Sequence, residues 1–426
     1  MTDLLSEPNL NSALNAEYLA ARRQAFTCID ELVDTTVKTL LRWSSINSGT
    51  RNLDGLNAMA RELEQQFTPI SDQFNALPLP DVEALTDGGE VIQNRHGKML
   101  SFKKRADAPL QVLLLGHMDT VFEQTHAFQQ PVWLDNNTLN GPGVADMKGG
   151  LLVIYLALKA FELHPLSPKL GWHVAINPDE ETGSLASRFL IAEFAQKAHL
   201  GLVYEPALAD GTLAGDRKGS GNFSLRVRGK SAHAGREFHL GKNAIAALCE
   251  IFYRLQQLNS EENSGITLNL GRVSGGGAVN IVPDTAVGHF NVRCENIDQQ
   301  GFIQSQINKI IDDINSRQGF DVQLFGGFNR EPKVANTKTL KLRQWLSEIG
   351  SELDIPVHFK PTGGCCDGNN LNAAGLANID TLGIRGGNIH TDQEFILIDS
   401  LAERAKLSFL LLEKFAVNHE EYLKLS

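Results

Sequence analysis

Leu and Ala recur at three- and four-residue spacings from residue 1 to about 70, the mark of amphipathic helices, and Ser48-Gly49-Thr50 breaks the pattern into two of them. From residue 111 the rhythm changes. Short apolar runs at 112–115, 172–176, 200–204 and 379–384 read as strands buried on both faces, and helical patterns at 150–161 and 184–197 lie between them. That alternation predicts an α/β domain with a largely parallel sheet and helices on both faces. A third rhythm occupies the middle of the chain. Positions 222–227 alternate with period two, 242–258 is helical, 266–273 and 285–292 are strand-like, 302–314 is helical and 320–325 is again strand-like. Strand, helix, strand, strand, helix, strand is the order of a ferredoxin-like α+β layer. Residues 218–330 are therefore expected to form a domain inserted into an α/β domain made by 1–217 and 331–426.

Composition limits what the motifs can mean. A chain of 426 residues exceeds the roughly 250 to 300 at which a single core stops growing, which agrees with two domains. Hydrophobic residues at 42% and charged residues at 21% are ordinary for a globular protein and exclude a disordered or collagen-like chain. The net charge of −11 disfavours nonspecific binding to phosphate backbones, so no nucleic-acid partner is expected. No run reaches the ~18 apolar residues of a membrane span, the best candidate being the amphipathic stretch 151–161. The first twenty residues lack the basic start and apolar core of a secretory signal. The five cysteines are odd in number, scattered and without a CxxC, so neither a disulfide framework nor a cysteine zinc site is indicated. A cytoplasmic location is expected.

The chemistry gathers where predicted strands end. The 112–115 run leads into Gly116-His117-Met118-Asp119, and residues two apart on extended chain share a face, so His117 and Asp119 point together. The second run leads to Asp179-Glu180-Glu181, the third to Tyr204-Glu205-Pro206 and the last to Ile389-His390-Thr391, while Asp146 ends a glycine-rich segment at a helix start. Open α/β sheets bind ligands at these carboxyl ends. Imidazole together with carboxylate suits two borderline divalent ions, Zn²⁺ first, with Co²⁺ or Mn²⁺ as substitutes. Asp146 bridging the pair, with Glu181 and Glu205 on one ion each, sets three negative charges against four positive ones, and His117 and His390 complete the shells as neutral ligands. Asp119 would orient His117. Glu180, beside a ligand without being needed as one, is free to act as general base.

Singly, each residue has a plainer reading: an ordinary polar histidine, a solvated Glu-Glu pair, a turn cap before proline. Their joint occurrence after strands is what points to a metal site. HExxH, GxSxG, GxGxxG and the HxH of amidohydrolase barrels are all missing. A two-metal phosphoesterase stays open and would be revealed by phosphate-ester turnover. A catalytically silent peptide-binding protein also stays open, although an intact Glu180 and a full ligand set argue against it.

GHMDTV, GPGVADMKGG, DEETGS, YEP and IHT resemble, in order, the five metal-site motifs of the zinc-dependent exopeptidase family that contains glutamate carboxypeptidase, aminoacylase, acetylornithine deacetylase and succinyl-diaminopimelate desuccinylase. The resemblance runs from about residue 111 to 395 and is strongest to glutamate carboxypeptidase. It implies His117, Asp146, Glu181, Glu205 and His390 as ligands, with Asp146 bridging, Glu180 as base and a cis peptide after Asp146. It further implies that 218–330 is a lid and dimerisation domain, that the protein is a homodimer, and that His233 in GKSAHAG stabilises the oxyanion in the partner subunit's site. Asn280, Arg293 and Arg330, with Gly364 in the GGCCDG loop, match substrate-binding positions, ion pairing within the protein being the alternative for both arginines. The expected substrate is a small peptide or N-acyl amino acid. Release of an acidic, glutamate-like carboxy-terminal residue is the first expectation and deacylation of an N-acyl amino acid the second. Adjacent Cys365 and Cys366 depart from the small or hydroxylated residues usual in that loop.

Overall fold

The computed structural model describes residues 12–425, so the helical reading of residues 1–11 lies outside the described residues. Helices α1 (Ser12–Ser44) and α2 (Leu53–Phe67) flank the expected break, and the Asn52 side chain caps α2 by accepting from the Gly55 N–H. Strands β1 (Gln73–Leu77), β2 (Met99–Lys104), β3 (Leu110–His117), β4 (Leu170–Asn177) and β5 (Leu200–Val203) form the main sheet in the order β1-β2-β4-β3-β5. β4, β3 and β5 are parallel and β1 and β2 antiparallel. Between them run α3 (Gly149–Phe161) and α4 (Arg188–Ala195). Gly150 in the first turn of α3 lets that turn lie on β5, since a Cβ there would sit 2.0 Å from the Tyr204 carbonyl oxygen.

From Gly219 to Arg330 the chain builds a separate antiparallel sheet. Its strands are β6 (Gly219–Arg228), β7 (Thr267–Gly275), β8 (Thr285–Cys294) and β9 (Asp321–Arg330), in the order β7-β8-β6-β9. Helices α5 (Ala244–Gln256) and α6 (Ile297–Asn315) cover one face, and Phe223, Leu225, Val227, Leu248, Ile251, Phe290, Ile307 and Ile311 make a core of their own. This is the ferredoxin-like arrangement. On the opposite face lies the tip of the hairpin Val82–Leu85/Val91–Asn94. There the Asp87 carbonyl accepts from Ser274 Oγ at 2.9 Å, the Gly89 carbonyl from Arg226 Nη1 at 2.8 Å, and the Asp87 carboxylate meets Arg272 at 2.9 Å.

The chain then returns to the main sheet through α7 (Thr337–Leu353), α8 (Asp367–Ala373) and α9 (Ser400–Leu423). Val112 and Leu114 of β3 pack toward α1, α3 and α9, whereas Leu113 and Leu115 pack toward α4 and α8. The sheet is thus covered on both faces, which is why its strands read as unbroken apolar runs. The 379–384 run is a correction: only Asn378–Ile379 joins the sheet, beside β5. Thr381 turns to φ 60, and the chain resumes as Arg385–Gly387 in a second sheet. The cause lies inside the run, where the buried Asp380 carboxylate needs cations that the sheet does not offer.

Those cations sit where the chain enters and leaves the inserted layer. Arg217 and Lys333 exchange backbone hydrogen bonds of 2.9 Å in each direction, and both side chains converge on Asp380, Arg217 Nε and Lys333 Nζ each at 2.8 Å. No helix among the described residues is long and apolar enough to cross a membrane.

Candidate metal centre and active site

β3 ends at His117, β4 runs into the 179–183 turn and β5 into Glu205, which brings three parallel strand ends side by side. α3 begins just after Asp146, and the Asp146–Met147 peptide is cis. His117 Nε2 lies 3.0 Å from Asp146 Oδ1 and 3.9 Å from Glu205 Oε1. His390 Nε2 lies 3.2 Å from Asp146 Oδ2 and 3.2 Å from Glu181 Oε2. Each oxygen of Asp146 thus faces a different histidine. Donor atoms of His117, Asp146 and Glu181, and likewise of His117, Glu180 and Glu205, lie within 4.8 Å of one another. His390 is held at φ 65, a backbone region that costs a side-chain-bearing residue about 1–2 kcal/mol.

Asp119 is fully buried and organises this end of the sheet. Its carboxylate accepts from Thr50 Oγ1 at 2.7 Å and from the Glu180 and Glu181 N–H groups at 3.1 and 3.2 Å. It also lies 3.4 Å from His117 Nδ1. It therefore ties the 180–181 turn to the first histidine.

Charge crowding explains the electrostatics. Burial and the neighbouring Asp146 push Glu181 up to about 8 and Glu205 well above the usual carboxylate range. Burial also pushes Glu180 up to about 7, against the opposing pull of Arg330. For Asp146 burial acts upward too, but hydrogen bonds from His117 and His390 hold it below the usual range. Burial alone would depress His117, yet its bonds to Asp119 and Asp146 raise it well above its ordinary value. Carboxylates that suppress one another's ionisation are what divalent cations relieve. Glu205 Oε1 is buried without a hydrogen-bond partner, a need that a cation beside it would satisfy. The His, Asp and Glu donors fit such ions.

Glu180 faces Arg330, whose Nη2 donates to Glu180 Oε1 at 2.6 Å, to the Glu180 carbonyl at 3.0 Å and to Ser184 Oγ at 3.2 Å. Arg330 is 7% exposed and its Nη2 is also 3.6 Å from Asp367. Of the two partners expected for Arg330, a substrate carboxylate or a carboxylate of the protein, the structure contains the second. The register accounts for its position. Ser220 of β6 pairs with Arg293 of β8 on one side and with Arg330 of β9 on the other, and a bulge leaves Asn329 as the extra residue on β9. Asn329 Nδ2 donates to the Gly183 carbonyl at 2.9 Å, and a Cβ on Gly183, at φ 97, would lie 2.2 Å from that nitrogen. Glycine is required at this contact between the inserted layer and the 180–183 turn.

Arg293 is half-buried and donates to Asn291 Oδ1 at 3.0 Å and to Cys365 Sγ at 3.0 Å. Exposed Gly364 is linked to Arg217, whose Nη1 donates to its carbonyl at 3.2 Å. His233 and Asn280 lie elsewhere. They share a small two-stranded unit in which the Ala234 N–H donates to the Asn280 carbonyl at 2.9 Å, and both are exposed. Among the described residues no contact joins either to this chain's own His117–His390 cluster. Sequence reasoning missed Glu394, which is 1% exposed and whose carboxylate accepts from the Gly143, Ala145 and Asp146 N–H groups at 3.1, 2.8 and 3.1 Å. It thereby fixes the Asp146 segment to the His390 segment. An acidic residue four positions after His390 was the available signal.

Comparison with known proteins bears on this geometry. Carboxypeptidase G2 of Pseudomonas sp. (strain RS-16) is 27% identical over 399 residues, covering 88% of this chain and 88% of that protein. Acetylornithine deacetylase of Vibrio vulnificus (strain CMCP6) is 31% identical over 269 residues, 60% of this chain and 66% of that protein. An M20 family metallo-carboxypeptidase from Sulfolobus solfataricus superposes with a TM-score of 0.69 at 15% identity, covering 90% of this chain and 99% of that one, a likeness of fold. The sequence profile described as peptidase family M20/M25/M40 matches residues 113–414, well over half the chain, and the protein belongs to that family.

Proposed function

We propose that this protein is a zinc-dependent hydrolase that cleaves an amide bond and releases an acidic, glutamate-like carboxy-terminal amino acid from a small substrate. The observation that carries the reading is the division of Asp146 between His117 and His390, with Glu205 beside the first histidine and Glu181 beside the second, five residues that together would hold two ions. Bound there, two divalent ions, Zn²⁺ or in its place Co²⁺ or Mn²⁺, supply Lewis acidity that polarises the scissile carbonyl and acidifies a water molecule at neutral pH. Glu180 accepts the proton of the attacking water and delivers it to the amide nitrogen as the C–N bond breaks. Arg330 holds the Glu180 carboxylate in place between turnovers. Asp119 keeps His117 and the 180–181 turn in register.

In this reading residues 218–330 are the lid and dimerisation domain of a catalytic domain formed by 1–217 and 331–426. His233 donates to the developing oxyanion of the partner subunit. The exposed apolar residues Phe238, Leu240, Val279 and Ile281 around it support burial against a second copy in a homodimer. Arg293, with Asn280 and the Gly364 loop, receives the free carboxylate of the amino-acid product.

The deciding experiment is mass-spectrometric detection of products from N-acyl amino acids, dipeptides and folyl-type α- and γ-glutamates. Free glutamate or aspartate is the expected product. Release from neutral N-acyl amino acids would favour a deacylase instead, the second reading, which the likeness to acetylornithine deacetylase supports. The two arginines separate in the same assay. Arg293→Ala is expected to raise KM for carboxylate-terminated substrates about tenfold or more, the worth of a charge-assisted hydrogen bond, while Arg330→Ala lowers kcat on every substrate. Equal kcat losses in both variants would refute the division of roles. Chelation is expected to abolish turnover and lower Tm, because ions that bind only the folded state stabilise it by mass action. A melting curve unmoved by chelator would count against ions at this cluster.

A further inference from the structure

Arg293 and Arg330 flank Ser220 in one row across three strands, yet their charges are treated differently. Arg330 is neutralised by the Glu180 carboxylate at 2.6 Å. Among the described residues the Arg293 side chain hydrogen-bonds only uncharged groups, the Asn291 amide at Nε and the Cys365 thiol at Nη1, each at 3.0 Å. Its Nη2 makes no hydrogen bond among the described residues and is not buried.

The thiol is oriented by a second contact. Cys365 Sγ donates its one hydrogen to the Lys218 carbonyl at 2.9 Å, so its lone pairs are left to accept from the guanidinium. Burial pushes this thiol up, against the pull of Arg293, which keeps it protonated at neutral pH. Three pieces of the structure meet at this one sulfur: the 363–366 loop, the entry of the chain into the inserted layer at Lys218, and the end of β8. Cys366 beside it does something else. It is 2% exposed, and its Sγ caps α8 by accepting from the Gly368 N–H at 3.3 Å.

We infer that Cys365 is a positioning residue for anionic substrates: a neutral, polarisable acceptor that fixes the direction of Arg293 without neutralising it, leaving the charge for a substrate carboxylate. The inference rests on the amide-hydrolase reading for its substrate but not for its test. A carboxylate at position 365 would occupy Arg293 itself, whereas a hydroxyl would preserve the arrangement. Alkylating the thiol would remove the acceptor and place bulk against the guanidinium.

The test uses Cys365→Asp, Cys365→Ser and Cys365→Ala in the full-length, zinc-loaded protein. L-Glutamate binding is measured by calorimetry, and KM and kcat are measured on a carboxylate-terminated substrate and its carboxamide analogue. Cys365→Asp is expected to weaken glutamate binding and raise KM about tenfold or more for the carboxylate substrate, with a smaller change for the carboxamide. Cys365→Ser rescues, and Cys365→Ala falls between. In the wild type, glutamate is expected to slow iodoacetamide labelling of Cys365, read by peptide mass spectrometry, but not labelling of the exposed Cys249. Equal losses on both substrates in all three variants would mean a merely structural thiol and overturn the inference. So would wild-type protein that binds no glutamate, or labelling of Cys365 indifferent to it. If the wild type turns over no amide yet binds glutamate in a way that Cys365→Asp abolishes, the amide-hydrolase reading fails and the role of Cys365 stands.

Discussion

Glu180→Gln is expected to retain both ions while turnover falls by roughly two to four orders of magnitude, the range for loss of a general base. The substitution is nearly isosteric, and Glu180 makes none of the three shortest histidine–carboxylate contacts in the cluster that link His117 to Asp146 and His390 to Asp146 and Glu181. The amide oxygen can still accept from Arg330, whose Nη2 also bonds the Glu180 carbonyl, so the turn keeps its shape. What disappears is a group able to take a proton. Metal content by elemental analysis and kcat measured on the same preparation test both halves of the expectation. Loss of metal along with activity would make Glu180 a ligand, and unchanged kcat would remove it from the proton path.

Asp380→Asn is expected to produce the largest loss of stability. Asp380 is fully buried, Arg217 is 8% exposed and Lys333 is 2% exposed. The substitution leaves two cations in the interior facing a neutral amide, and breaking a buried pair from one side costs about 3–5 kcal/mol. The loss also has a pH signature. Burial acts to raise the Asp380 carboxyl, but Arg217 and Lys333 outweigh it and hold the group well below the usual range. A depressed folded-state value means that the stabilisation is fully present above the unfolded value near 4 and fades as pH falls below it. Thermal melts at pH 7 and at steps below a pH of about 4 should therefore show a wide gap between wild type and variant at neutrality that narrows only in that acid range. A gap independent of pH would mean that packing, rather than charge, is at stake.

Asp380 also shows where reading the sequence failed. Its run of apolar neighbours has the composition of a strand, and only the requirement for buried counter-ions, supplied by residues 163 and 47 positions away, turns the chain out of the sheet. Long-range pairing of this kind has no local signature. The candidate ligand residues were legible for the opposite reason: His117, Glu181 and Glu205 follow strands that are apolar on both faces, and strand ends announce themselves by the change to polar residues. The two layers were legible as well, because periods of two and of about 3.6 are local properties. The antiparallel strand β1 and the hairpin after it escaped notice because they are short and mostly exposed, and β2 because its buried residues 99–102 give way at once to two lysines. Glu394 left only its position four residues after His390 as a signal, because its work is done on backbone N–H groups some 250 residues upstream. The partner of Arg330 could not be read either, because it depends on which way a side chain faces at a bulge.

That bulge decides more than a local bend. On β9 Val322, Leu324 and Gly326 pair with Val227, Leu225 and Phe223, the side of the sheet that the helices cover, and Phe328 keeps the same parity opposite Gly221. Strict alternation would carry residue 330 to that covered side as well. The extra residue at 329 inverts the count by one, so Arg330 emerges on the same side as Arg293. Deleting Asn329 would restore an unbroken ladder in which the arginine follows Phe328 directly, stays opposite Ser220 and keeps its side. What would go is the hydrogen bond from the Asn329 amide to the Gly183 carbonyl, the tie between the inserted layer and the 180–183 turn. The one extra residue thus lets the strand place an amide on that turn and still deliver the guanidinium to its own address opposite Ser220.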